Sequence, residues 1–241
     1  MTTVPQQSPV HTCARNNALW CAAMSRTYGA TGTFTDDAWA SPVRTPPYYP
    51  DAVTLVPGAD PAALVRRIDT TAPGATVKDS FGDLDLTGAG FHVLFEATWI
   101  HRPADVPAPG SDPGPVPDRD VVRDAKTLRT WALAWDDGDG DADLFGAGLL
   151  DLPDVHVIAG RDARGRVSSG AVLNRGAGAL GVSNVFSRDP APDTVWPGVL
   201  DAARHLGPGL PVVGYEHGDD LTAALRHGFT TVGPLRVWLK P

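Results

Sequence analysis

The sequence predicts an α+β fold in which helices flank a mixed central sheet, and three observations carry that expectation. The chain closes with Leu210–Pro241, where a strand-sized apolar run at Pro211–Tyr215, a helix entered at Gly218-Asp219-Asp220 and a last apolar run at Leu235–Leu239 follow in order. Upstream, Val155–Gly160 and Val167–Leu173 are apolar-rich and joined by a polar, glycine-containing turn, the pattern of a hairpin. Finally, 241 residues with 42% hydrophobic and 20% charged side chains have the composition of a globular chain able to bury a core.

Each element follows from local chemistry. In the closing stretch Leu221, Ala224 and Leu225 recur at helical spacing, and Asp219 and Asp220 suit the positive end of a helix dipole. Gly228 stands where a left-handed C-cap is wanted, and Phe229 folds back onto the helix. Before it, Leu180–Phe186 reads as a third strand after the hairpin, and Val195–Leu206 as a helix with Pro197 in its first turn. Asp120–Trp135 reads as a helix with Val121, Val122, Ala125, Leu128, Ala132 and Leu133 on its apolar side. The order from Asp120 is therefore helix, three strands, helix, strand, helix, strand.

That order, closed by the helix, Gly-Phe and strand of residues 218–239, resembles the GCN5-related N-acetyltransferase (GNAT) superfamily. The resemblance implies acetyl-CoA as the cofactor. It also implies that the strand Leu180–Phe186 and the loop after it hold that cofactor, which nominates Ser183, Asn184, Val185, Phe186, Ser187, Arg188 and Trp196. Relatives carry an R-x-x-G-x-G/A loop whose backbone N–H groups cradle the pyrophosphate at a helix N-terminus. Here the corresponding stretch is Ser187–Gly198, with one arginine, prolines that remove donors, and Asp189 and Asp193, which would repel phosphate. Many relatives also place a tyrosine, the acid for the leaving thiolate, where this chain has Ala224. Tyr215 or Ser183 would have to substitute, and Glu216 is the carboxylate best placed to act as base, with His217 and His205 behind it.

The N-terminal half is read in order. His11–Tyr28 forms a helix with Ala14, Ala18, Cys21 and Ala22 on one small apolar face and Gly29 closing it. Asn16 and Asn17 in mid-helix read first as a solvated face; the functional alternative puts Asn17, Trp20 and Cys21 against a small ligand. Phe34–Tyr49 is irregular because of Pro42, Pro46 and Pro47, and either lids the core or presents Arg44, Tyr48 and Tyr49 to a ligand. Asn17, Trp20, Arg44 and Tyr48 are thus the substrate-binding candidates. Ala52–Val56 is a strand, Asp60-Pro61 opens a helix through Ile68, and Thr76–Ser80 and Phe91–Ile100 are further strands.

Two longer patterns set the domain organisation. Gly82-Asp83-Leu84 through Gly90-Phe91 and Trp99-Ile100 echoes Gly218-Asp219-Asp220 through Gly228-Phe229 and Trp238-Leu239, which reads as an internal duplication with a smaller, diverged GNAT-like first half. The proline-rich stretch 104–118 reads as a linker between residues 1–103 and 119–241.

Composition excludes some classes and leaves others open. A net charge of −8 with no basic stripe argues against nucleic acid and anionic membranes, and no apolar run is long enough to span a bilayer. Met1–Pro9 lacks signal-peptide character, so a cytoplasmic location is expected, with a small-molecule partner and a homodimer as the expected assembly. Cys13 and Cys21 are too few for a disulfide framework. The acidic run Asp136–Asp143 places Ala142 where a calcium loop needs glycine, so it reads as a solvated turn and no metal site is expected. Three functions remain, of which the first two are acetyl transfer from acetyl-CoA to a small amine and non-catalytic binding of a small molecule by a GNAT-like fold that has lost the pyrophosphate loop. A purely structural dimer module is the third.

Overall fold

The computed structural model describes residues 8–107, 119–138, 140–189 and 192–241. Helix α1 (Pro9–Thr27) leads into short strands β1 (Thr33–Phe34), β2 (Ala38–Ala40) and β3 (Ala52–Thr54), then helix α2 (Pro61–Val65) and strands β4 (Ala75–Asp79) and β5 (His92–Arg102). Strand β6 (Arg119–Val121), helix α3 (Ala125–Trp135) and strands β7 (Val155–Arg161), β8 (Val167–Gly176) and β9 (Ala179–Ser187) follow. The chain ends with α4 (Trp196–Leu206), β10 (Val212–Glu216), α5 (Gly218–Arg226) and β11 (Thr230–Lys240).

The described strands join in a single mixed sheet, in the order β1-β2-β3-β4-β11-β5-β10-β9-β8-β7-β6. Only β3–β4 and β9–β10 are parallel; the other neighbours are antiparallel. The two longest strands lie at the centre: β11 lies beside β4, β5 lies beside β10, and β5 and β11 pair with each other. That central pairing is two-fold in register, since His101 faces Thr230 at one end and His92 faces Leu239 at the other. Much of the stretch 104–118 lies outside the described residues, so the expected linker has no structural description.

Helices α1 and α3 cover one face of the sheet. Their buried residues, Trp20, Cys21, Met24, Leu128 and Trp131 among them, pack with Val157, Ala159 and Val172 beneath. On the other face α4 and α5 bury Trp196, Val199, Ala203, Ala223 and Ala224 against Ile158, Leu173 and Leu180. A buried aliphatic or aromatic side chain is worth about 1.5–3 kcal/mol relative to exposure, so these two layers supply most of what holds the sheet in place.

Local signals explain most boundaries. Asp60 caps α2 by accepting from the Ala62 and Ala63 backbone N–H groups, with Pro61 in the first turn. Gly29 and Gly228 take the left-handed conformation expected of helix ends. Helix α5 starts one residue beyond its cap at His217, so Asp219 and Asp220 lie in its first turn. Two expectations are corrected. Residues 119–121 form strand β6 on the edge of β7, and the helix begins only after Asp124, whose carboxylate accepts from Thr127 N–H. Asn16 and Asn17 are buried: α1 packs flat on the sheet, and an amide there is stable because it finds partners. The Asn16 amide donates to the carbonyl of Gly176 at 3.0 Å, and Asn174 donates to its oxygen at 3.2 Å. A Cβ at Gly181 would collide with both asparagine side chains, so this close approach requires glycine.

Candidate functional site

The site is a gap in the sheet. Strands β9 and β10 pair at Val212↔Leu180 and Val213↔Gly181 and then separate, while β9 stays paired with β8 through Ser187 and β10 stays paired with β5 through Glu216. A β-bulge on β9 accompanies the separation: Val172 faces Ser183 but Gly170 faces Phe186, leaving an extra residue on β9. Asn184 in the bulge has φ +51°, a left-handed conformation that asparagine tolerates better than most residues. The edge of β9 beyond Ser183 therefore faces an opening where β10 would otherwise pair.

On the face covered by α1 and α3 this opening becomes a cleft of about 250 Å³. Ser183, Asn184 and Val185 line it from β9, Tyr215 and Glu216 from β10, Asn17 and Trp20 from α1, and Tyr48 and Tyr49 from the proline-rich loop. Burial pushes the Glu216 carboxyl up to about 8, with the charge of Asp220 adding to the shift. Among the described residues that carboxyl has no hydrogen-bond or ion-pair partner. The hydroxyl of Ser183 is also buried without a partner among the described residues. The Tyr49 hydroxyl donates to Asn184 Oδ1 at 3.5 Å, and burial holds its pKa well above the ordinary tyrosine value.

Most of the sequence-derived candidates meet here, and some do not. Asn17, Trp20, Tyr48, Ser183, Asn184, Val185, Tyr215 and Glu216 share the cleft. Tyr48 stands at its exposed rim, edge-on to Trp135 at 5.7 Å between ring centroids. Arg44 is elsewhere: it is ion-paired with the fully buried Asp51 and donates to the Gly74 carbonyl, which commits it to holding the loop. Phe186 turns toward α3 and packs on Trp131 at 5.3 Å, and Trp196 lies in the core against Phe229 at 4.9 Å. His205 is exposed on α4, bonded to the Asp201 carbonyl. Ser187 and Arg188 line a second, more open groove of about 760 Å³ together with Arg161, Arg166, Asp162 and Asp189, where Arg161 pairs with Asp120 and Arg166 with Asp162. Asp193, expected to repel phosphate, is ion-paired with Arg226 at 2.6 Å.

The structure adds one charged residue to the site. Lys78, on β4, is 5% exposed, lines the cleft, donates to Asn17 Oδ1 at 2.9 Å, and sits 4.4 Å from the centre of the Tyr215 ring. A lone lysine in the short strand 75–79 carries no sequence signal that separates a cleft-facing side chain from a solvated one.

A mixed sheet with a bulged strand splayed from its parallel neighbour, roofed by helices on both faces, is the GNAT fold, and this chain has it along nearly its whole length. Similar solved structures include a GCN5-related N-acetyltransferase from Kribbella flavida, 14% identical, with a TM-score of 0.65 over 98% of this chain and 97% of that one. A protein described as a GNAT-family acetyltransferase from Novosphingobium aromaticivorans is 14% identical, with a TM-score of 0.55 over 95% of this chain and 97% of that one. A GCN5-related N-acetyltransferase from Sphaerobacter thermophilus is 11% identical, with a TM-score of 0.54 over 97% and 94% of the two chains. No protein-family model and no curated protein matches the sequence. Among the described residues, no helix is long and apolar enough to cross a membrane.

Proposed function

We propose that this protein is an N-acetyltransferase that moves an acetyl group from acetyl-CoA to a small amine in the cleft between β9 and β10. The observation that carries this reading is the splay itself, where an unpaired stretch of β9 edge and the unpartnered Ser183 hydroxyl lie beside a partly buried carboxyl without a partner. Acetyl-CoA bound there would supply the activated acyl group. The edge of β9 from Ser183 to Val185 offers backbone groups and one hydroxyl to its amide-bearing arm, and Arg188 offers a cation to its phosphates, while Arg161 and Arg166 in the same groove are paired with Asp120 and Asp162.

Glu216, in its ionised form, accepts the proton that the amine loses as nitrogen bonds to the acyl carbon and the carbon–sulfur bond breaks. Tyr49 and Tyr215 both line the cleft, and either hydroxyl can return a proton to sulfur, a role for which Ala224 offers no group. Asn17 and Trp20 position the acceptor under α1. The acceptor amine, the acetyl donor and these roles are all part of the proposal.

The second reading, binding without catalysis, draws on the altered loop 187–198 and on Ala224. Calorimetric titration with acetyl-CoA, CoA and dephospho-CoA, followed by thiol release with a panel of amines, separates the two. Micromolar acetyl-CoA binding, about −8 kcal/mol, with amine-dependent thiol release is the expected result. Absence of binding up to millimolar cofactor by the folded protein would overturn the acetyltransferase reading in favour of the second.

A further inference from the structure

The cleft holds an uncompensated buried cation. Of the residues that line it, Lys78 is the one lysine or arginine and Glu216 the one carboxyl. The Lys78 ammonium carries three donors, and the described residues give it one amide oxygen at 2.9 Å, a tyrosine hydroxyl at 3.5 Å and the face of the same tyrosine ring. Among the described residues no carboxylate lies within ion-pair distance of it. An ammonium withdrawn from water without a counter-ion is costly, and an opposite charge brought by a ligand would offset that cost.

Its placement fits that role. β4 is three strands away from β10 in the sheet, across β11 and β5, yet the long lysine side chain carries its head group over the sheet to Tyr215, next to Glu216 in sequence. Asn17 on α1 fixes that head group from above, since its Oδ1 accepts from Lys78 Nζ and also from the Cys21 thiol. The cleft thus presents a held cation on the N-terminal side and a proton acceptor on the C-terminal side, within a volume suited to a small metabolite.

The geometry points to Lys78 as the residue that selects amines carrying a carboxylate, so that the acceptor is an amino acid rather than a simple cationic amine. This inference rests on the acetyltransferase reading for the word acceptor, but the binding preference stands without it. Lys78 pairs with the carboxylate while the amino nitrogen faces Glu216, and the spacing of the two selects among α-, β- and longer amino acids.

The test uses three matched sets of probes with the purified full chain: glycine, β-alanine and γ-aminobutyrate with L-leucine and L-phenylalanine; their decarboxylated amines; and their deaminated acids. Binding is read by calorimetry with and without CoA, for the wild type, Lys78→Met and Lys78→Gln, the last retaining a donor to Asn17. The wild type should bind at least one amino acid tenfold or more tightly than its decarboxylated amine. Both variants should lose that preference while the amine's own affinity is unchanged, and Lys78→Met should melt at or above the wild-type temperature. Equal binding of amino acid and amine by the wild type, a preference that survives in both variants, or no carboxylate probe binding the folded protein would each overturn the inference. Acetyl transfer to simple amines at equal efficiency would sink this inference and spare the acetyltransferase reading; a carboxylate preference without any acetyl transfer would do the reverse.

Discussion

Strands β4 and β10 are five residues long, each runs parallel to one neighbour, β3 and β9, for two residue pairs, and each ends in a carboxylate, Asp79 and Glu216. The two strand ends behave in opposite ways. Asp79 is fully buried and its oxygens accept from the backbone N–H groups of Phe81, Gly82 and Leu84, at 3.2, 2.9 and 3.0 Å, while the next residue donates its N–H to the Thr54 hydroxyl and ties β4 to β3. Glu216 has no such turn to cap, because the chain goes directly into α5 and β9 has bulged away. A carboxylate saturated with donors has no capacity left for chemistry, whereas one held in a cleft without donors can take a proton from a ligand. If the two halves descend from one ancestor, as the register of β5 and β11 and the repeated Gly-Phe pattern lead us to propose, then the same strand end has become a structural anchor in one and a candidate base in the other.

The largest expected effect is on the open side. Glu216→Gln keeps size and removes the proton acceptor, and should lower kcat by about 10²–10⁴-fold with the melting temperature at pH 6 within a few degrees of wild type. The pH profile sharpens this. With its carboxyl raised to about 8, wild-type kcat/KM should climb with unit slope up to about pH 8 and level above it, and the Gln variant should lose that limb. Stability runs the other way: the folded chain holds a proton on Glu216 that the unfolded chain releases near 4.5, so this group's contribution is full below pH 4.5 and falls away as pH rises through 8. Thermal melts of wild type and Glu216→Gln from pH 5 to 9 should therefore diverge with rising pH, the variant being relatively favoured at pH 9. Parallel curves would show that Glu216 titrates like an exposed acid.

On the closed side the expected effect is on folding. Asp79→Ala strands three backbone donors beside β4, and at about 1 kcal/mol or more for each the loss should be about 3 kcal/mol, or roughly 10 °C in melting temperature. Asp79→Asn, which keeps an acceptor, should recover a large part of it. Near-wild-type melting of the Ala variant would mean that the turn 80–84 is held by its other contacts, Trp99 donating to the Ser80 carbonyl among them.

The difference between the two strand ends was only partly legible in the sequence. The C-terminal element order could be read because Gly228, Pro197 and the apolar runs act through neighbours a few residues away. The central pairing of β5 with β11 was not, since strand neighbours set by long-range pairing leave no periodicity of their own. In the site, Glu216 and Asn184 could be named once the GNAT resemblance had given roles to the strands that carry them. Lys78 was passed over because a single lysine in a strand reads the same whether it faces water or a cleft, and Arg44 was overvalued because its partner Asp51 lies beyond a run of prolines that hides their proximity. Asn17 was legible only as an anomaly, a polar residue on an otherwise small apolar helix face.

The smallest effect distinguishes a hydroxyl that is merely tolerated from one that awaits a ligand. Among the described residues Ser183 Oγ is buried without a partner, as Ser80 Oγ is on the closed side, but of the two Ser183 alone lines the cleft. Replacing an unpaired buried hydroxyl by a methyl removes a desolvation cost, so Ser183→Ala should leave the free protein as stable as wild type or up to about 1 kcal/mol more so. Acetyl-CoA affinity should move in the opposite direction, weakening by about fivefold for one neutral hydrogen bond lost. The opposed signs give the test its force, because a purely structural serine would lower the melting point and leave the titration unchanged. Stability and affinity falling together would place Ser183 among the residues that hold the bulge, and the opening beside it would then owe its shape to Asn184 alone.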